Sequence, residues 1–415
     1  MTQQHDDPRK QFLNLDDEDD EDRAAAARKL PIDLEEWDYA DEPDELQPRG
    51  WLLGNLLCRQ FLTAIFGDGA TGKTALLIAM ALSLATGRSD LLGEHVFLRC
   101  TVILLCFEDG EEELRRRLRA ARIYYNISKD DIRGRLFIKA INRSDLKLAV
   151  QGRDGLARGA LADALERSIT RRTADVVLLD PLVKTHAVSE NDNNAMDFVA
   201  GILSGIAIKH NIAGGTPQHT RKGPADPGNA DTGRGAGSLK DAFRLCFTQT
   251  PMQPGDAAGY GVSEDERRSL TRLDFGKVNL VRNDPNARWF ELVGVPLGNK
   301  TELYPHGDNV QTIRRWTPPD VFAGAGDQVW NAILDEIDKG LDNGQRYSND
   351  GGAKARAAWP VVTRHIDRTE KQARAIIAAW VKSGSLVADD YEDPTDYKIR
   401  KGLRVDANKR PGPRI

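Results

Sequence analysis

The sequence predicts an α/β protein built on a mainly parallel central sheet, followed by a small C-terminal unit of three helices and a hairpin. Three observations carry this. Short apolar runs alternate with helix-length segments from residue 51 onward, which is the pattern of a parallel sheet covered on both faces. A glycine-rich turn, Gly67 to Thr74, separates the first such run from an almost wholly apolar helix. Beyond a Pro/Gly-rich break at 315–326 (RWTPPDVFAGAG) the pattern becomes helix, helix, helix, hairpin.

The elements follow in order. Residues 62–66 (LTAIF) read as a buried strand, and Thr74 to Thr86 as a buried helix stopped by Gly87. Val102 to Cys106 is a second strand, followed by a charged helix from Glu111 to Ala121. Residues 137–141 are a third strand, 155–169 a helix, and Val176 to Asp180 (VVLLD) a fourth strand. A helix over 194–209 precedes a short strand near 212–218. Residues 220–237 (TRKGPADPGNADTGRGAG) form a long loop, and loops of that length inside a compact domain are usually functional. Runs at 243–249, 270–281 and 288–295 suggest an antiparallel extension. In the C-terminal unit, helices are expected over 328–339, 358–366 and 369–383. The last opens on the capping box Thr369-Glu370-Lys371-Gln372. Residues 386–388 and 397–400 flank a turn, giving a winged-helix arrangement. The expected organisation is an acidic tail over 1–45, an α/β domain over 46–315, a linker over 316–326, the winged-helix unit over 327–405 and a tail over 406–415.

Charge is unevenly spread. The formal net charge is −5, but the first fifty residues carry −11 and the remainder +6. A mildly basic folded part behind an acidic segment is compatible with DNA as a partner. No apolar run approaches the ~18–20 residues that span a bilayer, and the N-terminus lacks the apolar core of a signal peptide. The four cysteines form no C-x-x-C pair, so a disulfide framework and a zinc site are not expected, and the natural compartment is the cytoplasm.

Gly67-Asp68-Gly69-Ala70-Thr71-Gly72-Lys73-Thr74 fits G-x-x-x-x-G-K-[ST] in full. Following a strand and opening a helix, it has the context its chemistry needs. Backbone N–H groups curl around the phosphates of ATP, Lys73 reaches the β- and γ-phosphates, and Thr74 ligates Mg²⁺. Asp180 ends its strand at the sheet edge where ligands of open α/β sheets bind, which suits a contact to Mg²⁺. Glu108 and Asp109 follow the strand TVILLCF. Glu108 is the stronger candidate for polarising the attacking water, with Asp109 its rival, and both also suit the first turn of a helix. His219 closes the strand before the long loop, where it could sense the γ-phosphate. Arg221, Lys222 and Arg234 make that loop cationic, suited to a nucleic-acid backbone or an arginine finger. Lys371 and Arg374 lie on one side of the third C-terminal helix and could enter a DNA groove. Asp389, Asp390, Glu392 and Asp393 in the hairpin argue against a wing that grips DNA.

Taken together, FGDGATGKT, LLCFEDGEEELRRRL, VVLLDPL, SENDNNAMDFV, PQHTRKG and GRGAGSLKDAFR resemble the RepA-like branch of the RecA/DnaB-type ATPases across about residues 47–300. The resemblance implies a RecA-like core in a homo-oligomeric ring, a hexamer being the natural candidate, with ATP at each subunit interface. It assigns Glu108 as the catalytic glutamate, Asp180 as the Mg²⁺-associated aspartate and His219 as the residue at the end of the sensor strand. Arg234 matches the arginine that reaches a neighbour's site, although the following segment reads Arg-Gly-Ala-Gly-Ser rather than the family's R-G-S-S type. The sensor carries one histidine, Gln218-His219, where two are frequent. Lys277-Val278-Asn279 resembles an element supplying a further cation in trans, with Arg282 its rival. The leading expectation is an ATP-hydrolysing, DNA-associated ring motor of the replicative-helicase type. A recombination or repair ATPase that coats DNA and an ATP-switched DNA-binding regulator are the alternatives.

Overall fold

The computed structural model describes residues 36–153, 155–220, 226–232, 240–282, 284, 286–350 and 352–412. Most of the expected acidic tail lies outside these. The chain divides into two units, Met1–Pro48 and Arg49–Ile415. Within the first, Asp38 accepts from the Ala40 N–H and starts a single 3-10 turn, Tyr39–Asp41.

The second unit opens with a two-stranded hairpin, β1 (Trp51–Leu53) and β2 (Leu57–Cys58), followed by β3 (Leu62–Gly67) and helix α1 (Lys73–Thr86). Next come β4 (Val102–Cys106), α2 (Glu111–Tyr124) and β5 (Leu136–Ala140). A small hairpin, β6 (Ala149–Gly152) with β7 (Gly155–Arg158), leads to α3 (Ala160–Arg172). The core continues through β8 (Val176–Asp180), α4 (Asn193–Lys209), β9 (Ala213–His219) and β10 (Leu245–Pro251). Two short helices, α5 (Pro254–Tyr260) and α6 (Glu264–Arg267), precede β11 (Leu270–Val278), β12 (Arg288–Pro296) and β13 (Asn309–Arg315).

One nine-stranded sheet results, ordered β13-β12-β11-β10-β3-β9-β8-β4-β5. The six strands from β10 to β5 run parallel, and β11, β12 and β13 extend the sheet antiparallel. Strand alternation sorts the core onto two faces. Ile65, Val102 and Leu104 pack on α1, whereas Ala64, Phe66, Ile103 and Val177 pack on α3 and α4. The antiparallel strands curl over the first face, so that Phe290 and Ile313 join the core containing α1. The Tyr125 hydroxyl, at the end of α2, donates to the Ile313 carbonyl of β13. Helix α1 is thereby enclosed between two parts of one sheet, which explains why it has no polar face: Ala75 to Ala85 are all buried.

Several expectations change. The helix expected over 155–169 is instead strand β7 followed by α3. Gly159 marks the join, because a Cβ there would collide with the Lys147 carbonyl. Helix α2 runs three residues further than expected, to Tyr124. The first run of the anticipated antiparallel extension, β10, pairs parallel with β3, and a further strand, β13, completes the sheet.

Residues 327–405 form α7 (Asp327–Lys339), α8 (Trp359–His365), α9 (Glu370–Ser383) and the hairpin β14 (Leu386–Glu392) with β15 (Ile399–Val405). These share a core of their own, around Trp330, Ile337, Val362, Ile376, Trp380 and Leu403. Thr369 caps α9 through the expected reciprocal box with Gln372. The start of α9 lies against α5: the atoms nearest to where Cβ atoms on Gly255 and Gly261 would sit are Lys371 Nζ and Gln372 Nε2.

Candidate nucleotide site

Strands β3, β9, β8 and β4 are neighbours, so their carboxyl ends bring together residues scattered over 150 positions of sequence. Gly67, the last residue of β3, pairs level with His219 at the end of β9. On β8, Asp180 pairs level with Cys106 of β4, which sets Glu108 two residues beyond the same edge.

The turn between β3 and α1 is held open by backbone conformation. Ala70 and Gly72 both adopt positive φ, +63° and +88°, a region costly for a residue with a Cβ and natural for glycine. At Gly72 a side chain would also collide with Leu292 Cδ2, reaching over from β12. Gly72 is the N-cap of α1 and makes no side-chain capping bond. A helix start without a side-chain cap, preceded by a turn of glycines, presents N–H donors and the positive end of the dipole to an anion.

Lys73 is buried, and its Nζ donates to the carbonyls of Gly67 at 2.8 Å and Asp68 at 2.6 Å. Burial pulls its ammonium down to about 8, while the charges of Asp180, Asp68 and Glu108 pull it back up. Asp180 is also buried, and burial pushes its carboxyl up to about 6. The Thr74 side chain hydrogen-bonds that carboxyl and opposes the shift, whereas the charges of Glu108 and Asp109 reinforce it. A lysine and a carboxylate, both buried and both displaced toward neutrality, mark a site shaped for charges brought by a ligand. Thr74 and Asp180 offer two hard oxygen donors side by side. That set suits Mg²⁺, which retains water and takes its other ligands from phosphate. Among the described residues no group of three or more His, Cys, Asp or Glu is placed to hold a metal ion.

Glu108 is exposed at the strand end, near enough to act electrostatically on both Lys73 and Asp180. Its rival Asp109 is engaged by Arg117 at 3.0 Å, and Arg117 also holds Glu113 at 3.1 Å. That pairing gives Asp109 a structural task at the start of α2, while both carboxylates act electrostatically on Asp180.

Three contacts around the turn were not legible in the motif. Thr220, just past His219, donates its hydroxyl to the Asp68 carboxylate. On the other side, fully buried Gln249 of β10 donates Nε2 to the Thr71 carbonyl at 2.9 Å. Leu292 closes over Gly72. The one available signal was a glutamine inside the apolar run LCFTQTP.

The remaining candidates are less centrally placed. Arg221, Lys222 and Arg234 lie outside the described residues. Lys277 is held in its own chain by Asp241 and by the Lys240 carbonyl, both at 2.9 Å, while its rival Arg282 is exposed. In the C-terminal unit Arg374 pairs with Glu370 at 2.8 Å and lies over the Trp359 ring. Arg364 and His365 both engage Glu336. Asp393, expected as a surface acid of the hairpin, is fully buried, where it accepts from the Thr395 N–H and from Gln345 and pairs with Arg400.

Residues 26–225 match the family model of an AAA domain. The match gives the chain an ATPase domain of the P-loop type, and nucleotide is its expected ligand. The matched span holds Lys73, Glu108, Asp180 and His219. Gln249, Leu292 and the C-terminal unit lie beyond the AAA domain match. No helix among the described residues is long and apolar enough to cross a membrane.

Proposed function

We propose that this protein is an ATP-hydrolysing, DNA-associated ring motor of the RepA-like replicative-helicase type. The observation that carries the reading is the convergence of buried Lys73 and Asp180 and half-buried Thr74 with Glu108 at the carboxyl ends of adjacent parallel strands. Lys73 and the turn's N–H groups bind the phosphates of ATP, and Thr74 and Asp180 would hold Mg²⁺, whose charge would offset that of the phosphates. Glu108 orients and polarises the attacking water. His219 sits level with Gly67 and bears on the same phosphates, immediately before the cationic loop with Arg221 and Lys222. Arg234 of a neighbouring copy supplies the cation that completes the site, which ties turnover to assembly.

The C-terminal unit is read as a winged helix. Its internal ion pairs and the seating of Lys371 against α5 favour a contact with protein over a deep grip on DNA, and this bears on the rival reading of an ATP-switched regulator. The deciding measurement is the ATPase rate with and without single-stranded DNA, for wild type, Lys73→Ala, Glu108→Gln and Arg234→Ala. The motor reading expects DNA to stimulate wild type and each variant to lose at least about a hundredfold in turnover. Equal rates in all four proteins would refute the site. Wild-type turnover indifferent to DNA would refute the motor and leave the regulator.

A further inference from the structure

We infer that Gln249 is a positioning residue for the phosphate-binding turn: its side-chain amide fixes the Thr71–Gly72 peptide so that the Gly72 N–H faces the phosphates. This rests on the nucleotide reading above and adds to it a residue outside both the P-loop motif and the matched family span.

The geometry is specific. Gln249 has no exposed surface, and its Nε2 donates to the Thr71 carbonyl, across 178 positions of sequence. The backbone carbonyl oxygen of Gln249 lies against Gly67, where any Cβ would collide with it. β10 thus meets the turn at both ends of Gly67–Thr71. In a trans peptide the C=O and N–H point in opposite directions. Pinning the Thr71 carbonyl toward β10 therefore points the Gly72 N–H away from β10 within the peptide plane. The φ of +88° at Gly72 then turns the chain into α1. Left unpinned, that peptide could rotate and present a carbonyl oxygen to the phosphates, exchanging attraction for repulsion. A neutral amide of this length suits the contact, because the Thr71 oxygen needs a donor and nearby phosphates disfavour an anion. Among the described residues the Gln249 Oε1 has no hydrogen-bond partner. Burying a polar amide for a single bond is a poor choice for stability alone.

The test is nucleotide binding and turnover in Gln249→Met, which keeps the volume and removes the donor, and in Gln249→Glu. Gln249→Met is expected to weaken ATP and ADP binding about tenfold, with KM rising and kcat little changed. That pattern follows when an interaction made equally in ground and transition states is lost. Gln249→Glu is expected to bind still more weakly at pH 8 and to recover as pH falls, because the protonated acid regains a donor for the Thr71 carbonyl. Melting of each variant without nucleotide separates folding from positioning. Unchanged nucleotide affinity in a folded Gln249→Met, or no pH-dependent recovery in Gln249→Glu, would overturn the inference. Failure of the wild type itself to bind nucleotide would instead overturn the functional reading on which it rests.

Discussion

Asp180→Asn should make the nucleotide-free protein more stable at neutral pH. The Asp180 carboxyl is raised from 3.8 to about 6, first by burial and then by the charges of Glu108 and Asp109. A carboxyl raised in the folded state stabilises it fully below its unfolded value, near pH 4. That contribution is lost as pH rises through about 6. A rise of that size corresponds to about 3 kcal/mol, which is what burying the charge costs above pH 7. Asparagine keeps an oxygen for Thr74 and carries no charge, so it escapes this cost. Urea denaturation from pH 4 to pH 8 is the assay. The variant should exceed wild type by up to about 3 kcal/mol at pH 7.5, and the gap should shrink through pH 6 and close near pH 4. Adding Mg-ATP should reverse the order. Wild type gains about 4 kcal/mol at a thousand times its dissociation constant, and the variant, having lost the proposed Mg²⁺ ligand, gains little. An Asp180→Asn protein less stable than wild type at pH 7.5 without ligand, or a gap independent of pH, would refute the assignment of Asp180 as a buried charge awaiting its cation.

Other outcomes follow from the same geometry. Glu108→Gln should still bind ATP with near wild-type affinity in a fluorescence titration while turnover collapses, separating phosphate binding from water activation. Gly72→Ala combines a left-handed backbone with a collision against Leu292, and should lose about 2–4 kcal/mol in urea. Adding Leu292→Ala should relieve the collision while the backbone cost of about 1 kcal/mol persists. Thr369→Ala removes the cap of α9 and should cost about 1 kcal/mol, read as earlier melting of the C-terminal unit with Mg-ATP binding intact.

The carboxyl edge of the sheet that carries the candidate site was legible because its signals are local. Gly67 to Thr74 is one contiguous turn, and Asp180 and Glu108 each stand at the end of an apolar run whose length fixes where the strand stops. The capping box at Thr369 was legible for the same reason. What escaped depends on distant partners. Strand β7 sits in a segment whose Ala/Leu content suits a helix, and it is strand because Gly155 to Arg158 pair back onto β6. β13 (NVQTIRR) has too few apolar residues to stand out and is defined by its pairing with β12. Helix α5 hides in PGDAAGY, where proline at the first turn and a glutamine–aspartate box start a helix that composition disfavours. Gln249, Thr220 and Leu292 are ordinary residues until the sheet brings them to the turn.

The enclosure of α1 also bears on how the protein is made. This helix is completed by Phe290 and Ile313, more than two hundred residues downstream. A chain emerging in order therefore forms its phosphate-binding helix long before the strands that cover it exist. Until β12 and β13 close, an apolar helix lacks half of its shelter, and long-range closure of this kind is slow. Fragments ending before residue 315 should aggregate even though they contain every residue of the P-loop motif. Nucleotide binding then reports on more than the motif: it certifies that residues 49–315 have folded to the last strand.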